Sequence, residues 1–201
     1  MRIIAGKFRG RHLKNPPSLE VRPTSDRLRE TLFNVIAPRI KDARFLDLCA
    51  GSGAVGIEAL SRGARHAVFV DQSRKMCALI KSNLDLCRVE EDEREVVQSE
   101  AHAYLRRALA RHGSFDARDI VFFDPPYADD YLLVLEMFGT HASTLLTENA
   151  LLVVEHHHKK VLPEKLDSIH RARILKQGDS ALSFYEVVPH QQGGPTNGSP
   201  D

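Results

Sequence analysis

Ten residues, Asp47-Leu48-Cys49-Ala50-Gly51-Ser52-Gly53-Ala54-Val55-Gly56, constrain this chain more than any other stretch. The apolar pair Phe45-Leu46 ahead of them reads as a buried strand. Ile57-Glu58-Ala59-Leu60-Ser61-Arg62 behind them reads as the start of a helix. A strand, a glycine-rich turn and a helix in that order make a cradle for a nucleotide-type cofactor. Glycine lets the backbone turn tightly and approach a ligand, and a helix N-terminus offers unpaired N–H groups.

The spacing Gly51-x-Gly53-x-x-Gly56 also fits a dinucleotide fingerprint, with Asp71 some twenty residues beyond Gly51. Asp47 separates the two ligands. A carboxylate at the strand end would repel a pyrophosphate, whereas S-adenosylmethionine carries no phosphate and presents an ammonium and a sulfonium that a carboxylate attracts. Asp47, Ala50, Gly51, Ser52 and Gly53 are therefore candidate contacts to S-adenosylmethionine. His66-Ala67-Val68-Phe69-Val70-Asp71 reads as the second strand. Asp71 at its carboxyl end can accept the ribose hydroxyls, or instead cap the helix that begins near Ser73. Glu95 to Ser99 makes a third strand. Glu100 just past it can accept from an adenine amino group, or be an ordinary surface residue of a helical first turn.

A second landmark closes the fourth strand. Asp119-Ile120-Val121-Phe122-Phe123 runs into Asp124-Pro125-Pro126-Tyr127. Consecutive prolines hold the backbone extended and cannot continue a ladder, so they fix the Asp124 carboxylate and nearby carbonyls at the strand end. Strands one and four are expected as neighbours, which puts this element beside the cofactor turn. The pattern suits methyl transfer to the exocyclic amino nitrogen of a base. Two acceptors can grip its N–H bonds and localise a lone pair otherwise delocalised into the ring, and alignment then supplies much of the rate. Tyr127 would stack on a base that is unpaired or has left its helix.

The remaining elements follow in order. Met1 to Leu13 reads as a short hairpin, and a helix begins at Pro23-Thr24-Ser25, with Thr24 or Ser25 as its N-cap and Pro38 at its end. Helices are expected over Ser73–Leu86, Ala101–Ala110 and about Tyr131–Phe138, and Glu90-Glu91-Asp92-Glu93 as a solvated loop. Asn149 to Glu155 forms a fifth strand, and Arg173–Lys176 with Ala181–Val187 a hairpin about Gln177-Gly178-Asp179. This predicts an α/β fold with a mainly parallel seven-stranded sheet, a reversed edge strand and helices on both faces. His156-His157-His158 reads as a solvated strand end with no metal, because adjacent strand residues point to opposite faces. The division expected is a basic arm over 1–22, a catalytic domain over 23–189 and a disordered tail over 190–201.

The formal charge of +1 over 201 residues conceals an uneven distribution. Between Met1 and Glu30 stand eight basic residues (Arg2, Lys7, Arg9, Arg11, Lys14, Arg22, Arg27, Arg29) against three acids (Glu20, Asp26, Glu30), a net +5. A basic arm on a neutral body suits a polyanion, and Arg2, Lys7, Arg9, Arg11, Arg22 and Arg27 are the candidate RNA contacts. Cys49, Cys77 and Cys87 show no metal-ligand spacing and read as reduced thiols of a cytoplasmic protein. No apolar run reaches membrane-spanning length. A monomer is expected.

Taken together these residues resemble a known family. Arg2-Ile3-Ile4-Ala5-Gly6, Arg9-Gly10-Arg11, Arg22-Pro23-Thr24-x-Asp26-Arg27-x-Arg29-Glu30-x-Leu32-Phe33-Asn34, Ala50-Gly51-Ser52-Gly53, Gly56 to Ala64 and Asp124-Pro125-Pro126-Tyr127 look like the bacterial 16S ribosomal RNA guanine-N2 methyltransferases, class I S-adenosylmethionine-dependent enzymes. The resemblance implies cofactor contacts at Asp47, Gly51, Gly53, Asp71 and Glu100, catalysis at Asp124 to Tyr127, and action on the assembled small ribosomal subunit. Cys49 stands where the family often has an aromatic, and Glu100 where it has Asp or Asn. The rival readings are an adenine-N6 methyltransferase on RNA or DNA, a nicotinamide oxidoreductase, and an inert RNA-binding or ribosome-assembly protein.

Overall fold

The computed structural model describes residues 1–16, 26–111, 116–126 and 131–188. Its parallel strands are β1 (Arg44–Leu48), β2 (His66–Asp71), β3 (Arg94–Gln98), β4 (Arg118–Phe123) and β5 (Leu146–His157). Between and around them run α1 (Asp26–Ile40), α2 (Ala54–Ser61), α3 (Arg74–Cys87), α4 (Ala101–Ala110), α5 (Tyr131–Thr140) and the short α6 (Ala142–Leu145). Three further strands complete the sheet: β6 (Lys165–Leu166), β7 (Ile169–Gln177) and β8 (Ser180–Val187). The order is β3-β2-β1-β4-β5-β8-β7-β6, with β8 antiparallel to β5. The seven expected strands are present, and Lys165–Leu166 adds an eighth at the edge, antiparallel to β7.

Strands β1, β2 and β4 and residues 150–156 of β5 are buried on both faces, which is why they read as largely apolar runs, whereas the edge strand β3 has no fully buried residue. Phe45, Phe69, Ile120 and Phe122 face a core shared with α1, α2 and α3. Their neighbours Leu46, Leu48, Val68, Val70, Val121 and Phe123 face α4, α5 and α6. Strand order reverses between β1 and β4, so the carboxyl ends of those two strands border the crevice where open α/β sheets bind ligands.

Some local expectations shift. Helix α1 continues through Pro38 to Ile40. Pro38 stands exposed in the last turn and buried Ile40 anchors that turn to the core, so the missing N–H removes a single bond close to the helix end. The expected caps Thr24 and Ser25 lie outside the described residues. Glu91–Glu93 is a 3₁₀ turn, not an open loop, with Glu93 paired to Lys7 and Glu91 to Arg94.

The amino-terminal hairpin forms. Arg2 bridges His12, Ile3 N–H donates to Arg11 O, and Leu13 N–H donates to Met1 O. It lies along α2. Glu58, fully buried, accepts from Ile4 N at 2.7 Å, Ala5 N at 3.0 Å and Arg62 Nε at 2.8 Å. Ser61 accepts Phe8 N–H through Oγ and Lys7 N–H through its carbonyl. Arg29, also fully buried, donates to the Arg2 carbonyl and to Asp26.

Candidate active site

The glycine turn after β1 is built from left-handed backbone. Cys49, Gly51 and Gly53 have φ of +63°, +56° and +77°. Glycine reaches that region without the penalty a Cβ imposes. A Cβ at Gly51 would meet no atom within 4 Å, so the turn opens on unfilled space. Asp71 shapes it from the next strand. Its Oδ2 accepts Gly51 N–H at 2.9 Å and its Oδ1 accepts Ser73 N–H at 2.8 Å. Burial pushes its carboxyl above the usual range, and those two bonds oppose the shift. A carboxylate offers about four acceptor positions, so Asp71 retains capacity for ribose hydroxyls above the two N–H bonds. Asp71 thus braces the start of α3, where Ser73 is the N-cap, and faces the turn.

Asp47 sits beneath the turn. It is 2% exposed and its Oδ2 accepts Gly56 N–H at 2.9 Å, at the first turn of α2. Burial pushes its carboxyl up to about 8; the Gly56 bond opposes this and the Asp71 charge adds to it. The structure thus gives Asp47 a direct part in shaping the turn, and near neutral pH in the free protein its charge is largely suppressed. Ala50 N–H donates to Val70 O, and the Ser52 carbonyl accepts from buried Asn83, which also holds the Lys14 backbone.

Across the switch point Asp124 N–H donates to Leu48 O at 3.3 Å, placing Asp124 directly beside the start of the glycine turn. Asp124 is half-buried, Pro125 buried and Pro126 exposed; Tyr127 lies outside the described residues. The Pro125 carbonyl accepts from the hydroxyl of buried Tyr131 at 3.4 Å, a contact that the sequence reading did not anticipate. Glu100 occupies the N-cap position of α4, mostly exposed, with Oε2 3.5 Å from His102 Nε2. Ser99 N–H donates to Asp71 O, so Glu100 borders the same crevice.

The structure brings together Asp47, Ala50, Gly51, Ser52, Gly53, Asp71, Glu100 and Asp124-Pro125-Pro126 at the carboxyl ends of the strands. It does not bring all of the arm cations there. Lys7, Arg9 and Arg11 belong to the far end of the hairpin, at the C-terminal end of α2. Lys7 reaches Glu93 at 2.6 Å and Arg11 the Leu86 carbonyl at 2.9 Å. A strand of five or six residues, roughly 17–20 Å, separates that end from Asp124. Arg2 and Arg27 stand nearer the cofactor end, both exposed, and Arg22 is outside the described residues.

The histidine run departs from its expected solvated strand end. His156 is 1% exposed, with Nε2 2.9 Å from Ser183 Oγ and Nδ1 2.9 Å from His157 O. Strand alternation does separate it from His157. His158, past the strand, stacks on His157 with centroids 4.6 Å apart, and one donor atom each of His157, His158 and Asp179 lie within 4.8 Å of one another. Among the described residues no helix is long and apolar enough to cross a membrane.

Comparison with known proteins places the chain. The family model described as Conserved hypothetical protein 95 matches residues 1–186. Ribosomal RNA small subunit methyltransferase D of Escherichia coli is 38% identical over 192 residues, covering 92% of this chain and 89% of that one. YlbH of Bacillus subtilis is 36% identical over 186 residues, covering 92% and 98%. A solved structure of yhhF from Escherichia coli superposes with a TM-score of 0.80 at 35% identity, covering 94% and 98%. With its class I, Rossmann-like sheet and these relatives, the chain belongs to the Conserved hypothetical protein 95 family, that of the ribosomal RNA small subunit methyltransferase D proteins.

Proposed function

We propose that this protein methylates the exocyclic N2 amine of a guanosine in 16S ribosomal RNA, acting as a cytoplasmic monomer on the assembled small subunit. The observation that carries the reading is the Asp124 N–H to Leu48 O bond. It couples the Asp-Pro-Pro element to the glycine turn, so an acceptor for amino N–H bonds stands beside a cradle suited to S-adenosylmethionine. Bound there, S-adenosylmethionine supplies an electrophilic methyl group on its sulfonium.

In this reading Asp71 receives the ribose hydroxyls, Glu100 the adenine amino group, and Ala50 to Gly53 the methionyl part. Asp47 holds Gly56 so that the turn keeps its shape. The Asp124 carboxylate and the Pro125 carbonyl accept the two amino N–H bonds of the base, which localises the nitrogen lone pair and aims it. Tyr131 steadies the Pro125 carbonyl, and Tyr127 stacks on the base. Asp124 then takes the proton that the nitrogen loses. Residues 23–189 form the catalytic domain and 1–22 an arm whose cations hold rRNA away from the reacting base.

The test uses small subunits from cells lacking the methyltransferase and methyl-labelled S-adenosylmethionine, followed by nucleoside analysis. Label in N2-methylguanosine is expected. Label in N6-methyladenosine keeps the amino grip and replaces the base, and no label in RNA defeats the assignment.

A further inference from the structure

The methyl acceptor must sit at the carboxyl ends of β1 and β4, yet Lys7, Arg9 and Arg11 stand about one strand length away. A different basic element lies at the correct end. β4 stops at Phe123, which is in register with Val154, while β5 continues to His157. The turn that follows, His158-Lys159-Lys160, therefore projects beside Asp124 to Pro126, one strand over. It is a formed turn. Lys160 N–H donates to His157 O at 2.8 Å, Lys159 N–H to His157 Nδ1 at 3.2 Å, and His158 N–H to Asp179 O at 2.8 Å.

Lys160 is fixed to the catalytic element itself. Its ammonium lies 3.8 Å from the centroid of the Tyr131 ring, and the Tyr131 hydroxyl lies 3.4 Å from the Pro125 carbonyl. Following these contacts through the phenol ring, the ammonium stands within about 10 Å of that carbonyl. Lys7, by contrast, is paired to Glu93.

We propose that Lys160, with Lys159 beside it, is a phosphate-binding element for the RNA backbone next to the methylated nucleotide. A base turned into the Asp124–Pro126 pocket brings its flanking phosphodiester to this rim, and a lysine held on an aromatic face presents a compact charge with a restricted position. The proposal rests on the RNA-methylating reading above. It assigns the near phosphate contact to the turn after β5, leaving the far contacts to the arm.

The experiment compares wild type, Lys160→Ala, Lys160→Arg and Lys159→Ala on small subunits from cells lacking the methyltransferase. Equilibrium binding is measured over a range of salt concentrations, alongside methyl-transfer kinetics. Loss of one phosphate contact reduces the slope of log affinity against log salt by about 0.7–0.9. Lys160→Ala is expected to show that reduction, with KM for subunits raised roughly tenfold at low salt, kcat within about twofold, and Lys160→Arg restoring the slope. Lys159→Ala is expected to reduce the slope by a smaller amount. An unchanged slope in Lys160→Ala overturns the proposal, including the case where kcat alone falls, which assigns Lys160 only to anchoring Tyr131. A wild type that binds subunits but transfers no methyl group refutes the function reading instead, and the slopes still decide the role of Lys160.

Discussion

Replacing Glu58 by Gln tests how the amino-terminal arm is attached. The Glu58 carboxylate is fully buried in α2 and accepts from Ile4 N, Ala5 N and Arg62 Nε, with Arg29 Nε at 3.9 Å. All of its neighbours are donors. A glutamine keeps one acceptor oxygen but turns an NH₂ toward either the arm amides or a guanidinium, and leaves half-buried Arg62 without its counter-charge and buried Arg29 with Asp26 alone. Breaking a buried pair from one side costs about 3–5 kcal/mol. At about 2–4 °C per kcal/mol for a domain of this size, the midpoint should fall by roughly 6–20 °C. Trypsin should cut after Lys7, Arg9 or Arg11 well before global unfolding, because the arm loses two of its backbone anchors. A midpoint within about 1 °C of wild type, with the arm still protected, refutes this account of the docking.

Three further outcomes follow from the same geometry. Asp47 ionises near 3.8 in the unfolded chain and near 8 when folded. Between those values the folded state holds a proton that the unfolded state has lost, so this group's contribution falls as pH rises from about 4 to about 8 and is level above. Asp47→Asn keeps an acceptor for Gly56 N–H without the titration. Its midpoint should gain on wild type between about pH 5 and about pH 8, and a constant difference contradicts the burial argument. At Gly6, with φ of +81°, a Cβ would stand 1.8 Å from the Ser61 carbonyl oxygen. Gly6→Ala should therefore cost about 2–4 kcal/mol by thermal unfolding and loosen the arm to trypsin; an unchanged midpoint argues against that close approach. Asp71→Asn preserves the side-chain size at the turn but removes a charged acceptor, so calorimetry should show S-adenosylmethionine bound roughly tenfold to a hundredfold more weakly. Unchanged affinity removes Asp71 from the cofactor site.

Most of the parallel half of the sheet was legible because β1, β2 and β4 are buried on both faces and end in punctuation: glycines after β1, Asp71 closing β2, a proline pair after β4. Lys165–Leu166 was not, since two residues carry no period and the strand exists only by pairing with Ile169 and His170. Glu58 was visible as the one acid within an otherwise apolar helix, but its partners Ile4 and Ala5 lie more than fifty residues away and only tertiary packing joins them. The net charge of the arm was equally plain in the sequence, whereas its direction was not. The hairpin runs along α2 from the cofactor turn to Ser61, which carries Lys7 and Arg11 away from the site. Strand alternation placed His156 correctly apart from His157 and failed at His158, where the strand has ended. Tyr131 opens α5 and Lys160 follows β5, and only tertiary packing brings that ammonium over the ring.

Asp124→Ala supplies the most direct test of the central claim, that cofactor binding belongs to the ends of β1, β2 and β3 and amino-group activation to the end of β4. The measurement is methyl transfer from S-adenosylmethionine to small subunits under single turnover, with cofactor affinity determined on the same preparation. The account predicts affinity within about twofold of wild type and a transfer rate reduced about a hundredfold or more, the scale of losing a positioned acceptor and proton acceptor. Transfer at the wild-type rate, with the cofactor bound normally, contradicts it.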